Sequence, residues 1–126
     1  MSSEYIAGAC NIGKGEVRRR QFVALIGIFL IATSATTLLA TDQVRSARIS
    51  IFLPAMIFSV GFIQSRKKFC LAYGFMGTFN FGKLGQISRV SDPIAKKADR
   101  KTAIIILAQS TALALGLTLA TLALPR

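Results

Sequence analysis

Cys10 and Cys70 are the two thiols of this 126-residue chain, and they are the natural place to look for chemistry. The chain has no His. Imidazole catalysis is therefore excluded, and so are His-bound zinc, haem and copper. Two thiols are too few to close a zinc site. What is left is thiol chemistry: a cysteine beside basic groups gains thiolate character and becomes a nucleophile. Lys67 and Lys68 stand just before Cys70. The opposing reading makes both cysteines small apolar fillers. The five acids, Glu4, Glu16, Asp42, Asp92 and Asp99, lie outside the uncharged runs. No proton relay or ion path through those runs follows. The Gly8–Gly15 stretch lacks the order and the Ser/Thr of a phosphate loop. Neither a metal nor another cofactor is expected.

The elements that must position these thiols are apolar. Hydrophobic residues make up 52% of the chain and charged residues only 17%, against about 25% in soluble domains. The uncharged stretches run over residues 22–40, 49–63 and 103–124. A helix crossing a bilayer needs about 20 apolar residues. The first and third stretches meet this directly. The second reaches it with Gln64 and Ser65, while Arg66, Lys67 and Lys68 extend to the interface. Three uncharged helices sharing one small soluble core is the less economical reading. The first stretch also differs from a cleaved signal peptide, because it is long and a second apolar stretch follows almost at once. Ala7-Gly8-Ala9-Cys10 has no apolar segment before it, so a lipoprotein site is rejected. Pro54 should kink the second helix. The sequence therefore predicts an all-α membrane protein. It divides into an N-terminal segment (1–21), a transmembrane hairpin (22–65), a basic and aromatic connector (66–102) and a third transmembrane helix (103–126).

Charge fixes the expected orientation. Of the 16 Lys and Arg residues, thirteen precede the first span or lie between the second and third. Arg45, Arg48 and Arg126 are on the other side. The positive-inside rule then places the N-terminus in the cytoplasm and the C-terminus outside, in a cell membrane such as a bacterial inner membrane. The net charge of +11 is a topology signal, and no nucleic-acid partner is expected. Both thiols fall on the cytoplasmic side, where they stay reduced.

Three local patterns stand out. The connector carries Phe69, Tyr73, Phe75, Phe79 and Phe81 among Gly74, Gly77 and Gly82. Rings favour the headgroup region and glycines interrupt helices, so this segment reads as an interfacial elbow; a ligand pocket is the alternative. In the third span Ala108, Ala112, Gly116 and Ala120 recur every four residues and predict a helix-packing face. Ser110, Ala114 and Thr118 form a second small row. Asp92 and Pro93 mark a helix start. Near the N-terminus, Glu16 has Arg19 and Arg20 at helical spacing. The sequence predicts that it pairs with a base, and that Asn11 bonds the backbone of the elbow.

Asn11, Ile12 and Gly13, then Glu16, then Arg19 and Arg20 ahead of a span, resemble the N-terminal motif of the YgaP-like transmembrane domain family. Cys70, Tyr73 and Gly77 resemble that family's Cys-Pro-x-Tyr-x-x-x-Gly element, with Leu71 replacing Pro. The resemblance covers residues 10–82, and the third span lies beyond it. It implies a two-helix membrane hairpin, often dimeric and found alone or fused to a sulfur-carrying rhodanese. Cys70 would be the residue that accepts sulfur.

Three functional readings follow. The first is a non-enzymatic accessory or structural subunit, packed against itself or a larger membrane complex. The second is an oligomeric transporter or carrier of a small solute or sulfur species through its thiols. The third is a membrane protein that binds anionic lipid through the elbow. In all three the bilayer is a partner.

Overall fold

The computed structural model describes residues 5–41, 43–81 and 87–124. It is mostly helical, and three of its helices are long and apolar enough to cross a membrane, the second being the continuous helical segment Arg45–Lys67. Helix α1 spans Lys14–Ala40, α2 spans Phe52–Lys67 and α4 spans Pro93–Ala123. The short α3, Leu71–Met76, forms the elbow with two two-residue strands, β1 (Thr78–Phe79) and β2 (Ser88–Arg89), paired antiparallel. Helix α2 packs against both α1 and α4.

Near Pro54, where the sequence predicts a kink, the helical backbone changes type. A 3-10 turn over Arg45–Ile51 leads into α2, and Pro54 lies in the first turn of that helix. The donor that Pro54 lacks thus falls just after the hydrogen-bond pattern switches from 3-10 to α, where its loss interrupts the helix least. The start of α4 follows its signal: the Asp92 carboxylate accepts from the Ile94 N–H at 3.0 Å, and Pro93 is the first helical residue. The helix then runs unbroken through Lys96, Lys97 and Arg100 into the third apolar stretch.

Two glycines let α1 and α2 meet. A Cβ on Gly27 would lie 2.5 Å from the Phe58 backbone nitrogen. One on Gly61 would lie 2.8 Å from the Ala24 nitrogen and the Arg20 carbonyl oxygen. Both backbones thus come closer than any side chain allows. On α4 the inward face is Ala103, Ile106, Ser110, Ala114, Thr118 and Thr121. The second small row is therefore the one that meets the hairpin. Ala108, Ala112, Gly116 and Ala120 point outward, and a Cβ on Gly116 would touch nothing. Which row faces inward depends on where α2 lies, and the four-residue spacing alone does not record that.

Large apolar side chains cover the outside. Phe22, Leu25, Phe29, Leu53 and Leu119 are each more than 60% exposed. At one end of the bundle Arg48 is buried, and it donates to the Thr121 carbonyl at 3.0 Å and the Leu124 carbonyl at 2.7 Å. Arg45 donates to the Leu124 carbonyl at 3.1 Å. Together they satisfy carbonyls that the end of a helix would leave open.

Candidate functional site

At the opposite end the N-terminal segment folds over the elbow. Gly8, with φ of +73°, turns the chain back on itself, so that Ile6 bridges Cys10. The Asp99 carboxylate, fully buried on α4, accepts from the Tyr5 hydroxyl and from the Gly8 N–H at 2.7 Å. Thr102 donates to the Gly8 carbonyl at 2.6 Å. Tyr5 stacks on Phe79 with ring centroids 5.0 Å apart. Burial, then the bond to Asp99, pushes the Tyr5 phenol above the ordinary tyrosine range, so it remains a donor.

Asn11 does what its position predicts, with more precision. Its Oδ1 accepts from the Cys70 N–H at 2.7 Å, and its Nδ2 donates to the Cys70 carbonyl at 3.1 Å. The carboxamide thus grips both ends of one residue, as a neighbouring strand would. Gln64 Oε1 takes the next N–H, that of Leu71, at 2.8 Å. The Asn11 main chain is held as well, by N–H donation to the Lys68 carbonyl and acceptance from the Asn80 N–H. Gly13 caps α1, and its N–H donates to the Asn80 carbonyl at 2.9 Å. A Cβ there would come within 3.1 Å of the Phe81 Cα.

Glu16 is the charged centre of the arrangement and is 1% exposed. Arg20 donates to Oε1, the Tyr73 hydroxyl donates to Oε2, and Asn80 Nδ2 donates to Oε2 at 3.0 Å. Arg19 is exposed and lies 4.0 Å away. Each oxygen of a buried carboxylate needs such a partner, and both have one. Burial, then the bond to Glu16, raises the Tyr73 phenol above its ordinary range, so it too stays protonated.

Arg20 links this centre to the thiol. Its Nη2 lies 2.9 Å from Cys70 Sγ, and its guanidinium sits 5.7 Å from the Tyr73 ring centroid. Its buried Nε has no hydrogen-bond partner among the described residues. The pair borders an open pocket of about 420 Å³, whose walls include Val23, Val60 and Gln64. Cys70 thus has its N–H and its carbonyl both held by Asn11 and a sulfur facing a cation. Cys10 is different: its thiol is buried and donates to the Ile12 carbonyl at 3.6 Å. Both cysteines are free. Among the described residues no cluster of three or more acids and thiols could hold a metal.

Two rings of the elbow are turned inward. Phe69 is fully buried against Ala103 and Ile106, and Tyr73 is turned into the site. Those two rings therefore do not face headgroups. Phe79 and Phe81 are half-buried, and Gly77, with φ of +71°, ends α3. The residues that sequence reasoning missed are Asn80, Gln64 and the Tyr5–Asp99 pair. Asn80 is the only amide side chain in the aromatic stretch, which was its one visible signal. No family model matches the chain, and neither a curated protein nor a solved structure matches it.

Proposed function

We propose that the chain is a small integral membrane protein, oriented with its N-terminus in the cytoplasm, that carries a small sulfur species on Cys70. One observation supports this above all: Arg20 Nη2 lies 2.9 Å from Cys70 Sγ at the edge of a pocket. A guanidinium in that position can hold an anionic sulfur group through charge-assisted hydrogen bonds, next to the one atom of the pocket that can act as a sulfur nucleophile. The thiolate attacks the outer sulfur of a small persulfide. The donor's S–S bond breaks, the donor leaves as its thiolate, and Cys70 holds the sulfur as a persulfide. A second thiolate takes it by the same step in reverse. The resemblance to the YgaP-like family points to the same residue.

The experiment uses Cys10→Ser protein in oriented vesicles, so that Cys70 is the only thiol. Glutathione persulfide supplied to the cytoplasmic face should add one sulfur atom, read by intact mass. The same reagent on the other face should add none, and Cys70→Ser should take up none from either. Arg20→Gln should slow uptake by about tenfold, the worth of one charge-assisted bond of about 1.5 kcal/mol. Arg20→Lys should restore part of the rate. Uptake at equal rates in the Arg20 variants would remove the role of the cation. No uptake by the parent would remove the carrier reading altogether.

A second reading, an accessory subunit packed against itself or a larger complex, is favoured by the outward row Ala108, Ala112, Gly116 and Ala120. Under that reading the double Cys10→Ser/Cys70→Ser variant keeps full function.

A further inference from the structure

We infer that the outward face of α4 is a binding site for one anionic phospholipid, with the phosphate held by Lys97, Arg100 and Lys101. The inference rests on the membrane reading above but not on the thiol. An open trough of about 580 Å³ runs along this helix, and its wall is almost wholly apolar: Ile94, Ile104 and Ile105 line it with the aliphatic stems of those three bases, which leaves their charged ends to the rim. All six are exposed. Among the described residues neither acid of this segment forms an ion pair with these bases. Asp99 is buried on the opposite face under Tyr5 and Gly8, and Asp92 is occupied by the Ile94 N–H. Lys96, the fourth base of the helix, lies against Gly77 instead.

The apolar continuation of the trough supports a lipid as the occupant. Lys101, Ile105, Ala108 and Ala112 follow one another at helical spacing on the same outward face. From Lys101 to Ala112 the helix rises by about 16 Å, at 1.5 Å per residue. That is close to the depth of one leaflet, half of a hydrocarbon core about 30 Å thick. Isoleucines stand next to the bases and small residues lie below them. A headgroup meets charge at the top, and an acyl chain lies along a shallow strip beneath it. Exposed bases near a membrane surface attract anionic lipid, and three on one helix face act together.

The test uses the purified full chain in mild detergent, titrated with dioleoyl phosphatidylglycerol or dioleoyl phosphatidylcholine and read by native mass spectrometry. The parent should hold its first phosphatidylglycerol at least tenfold more tightly than phosphatidylcholine. The triple variant Lys97→Gln/Arg100→Gln/Lys101→Gln should fall to twofold or less with an unchanged melting midpoint. A control with equal charge loss elsewhere, Lys14→Gln/Arg18→Gln/Lys67→Gln, should keep the preference. Equal loss in both triple variants would mean diffuse surface charge and would overturn the site. Inorganic phosphate matching the lipid's effect would overturn it in favour of a free-anion site. Ala112→Leu should weaken lipid retention. If it instead converts a dimer to a monomer with lipid retention intact, a second copy occupies the strip and the proposal fails. A parent that retains phosphatidylcholine equally well defeats this inference alone. A parent that retains neither lipid, and stays dispersed without detergent, defeats the membrane reading as well.

Discussion

Replacing Glu16 by Ala should destabilise the protein by about 3–5 kcal/mol, the usual cost of leaving one partner of a buried ion pair alone. Arg20 would keep its charge, with a side chain only 12% exposed and its carboxylate gone. Tyr73 and Asn80 would each lose a hydrogen bond to the same oxygen. Glu16→Gln keeps the volume and one acceptor, so it should cost less. Adding Arg20→Met to Glu16→Ala should recover part of the loss, because the orphaned charge goes with it. Unfolding of each variant in mixed micelles, followed by circular dichroism, measures the difference. If Glu16→Ala unfolds no more easily than Arg18→Ala, on the exposed side of the same helix, the network does not stabilise the fold. A surface pair of the same type would be worth less than about 1 kcal/mol, so the magnitude alone separates the two cases.

Gly27→Leu should prevent α1 and α2 from closing, whereas Gly116→Leu should leave the bundle intact. Even the first carbon of a side chain at Gly27 would meet the Phe58 backbone at 2.5 Å, and backbone cannot rotate away. Overpacking of this kind costs about 1–3 kcal/mol, and more where the obstacle is main chain. Gly27→Ala should already show it. At Gly116 the space is open, and surface changes of that sort stay within about 0.5 kcal/mol. Cysteine pairs placed across the α1–α2 contact in a Cys10→Ser/Cys70→Ser background would report closure by cross-linking. Equal cross-linking in the two glycine variants would show that the helices are not as close as the structure has them.

The three long helices, the start of α4 at Pro93 and the pairing of Glu16 with a neighbouring Arg were legible in the sequence. Each depends on residues near one another in the chain. The close-approach glycines were less so. Gly27 and Gly61 are each the single glycine of an apolar run, a sign available in advance but weaker than the four-residue row on α4. That row drew attention because it was periodic, yet it faces outward. Facing depends on tertiary placement, which periodicity does not encode. The same limit explains Phe69 and Tyr73. An aromatic beside basic residues reads as interfacial, and only the folding of Asn11 and Glu16 onto the elbow turns these rings inward. The Tyr5–Asp99 bond joins residues 94 apart, and no local pattern announces it.

Arg45 and Arg48 bear on the order in which the molecule assembles. They belong to the turn between α1 and α2, but their acceptors are the last carbonyls of α4, more than 70 residues later in the chain. The contacts of the hairpin are closer in sequence and form at a smaller entropic cost. Until α4 packs against the hairpin, the two guanidinium groups lack these acceptors. The arrival of the third helix gives both of them protein partners at once. The closing of the bundle is therefore fastened at these few atoms, and a chain cut before Thr121 would form the hairpin but leave it unlatched.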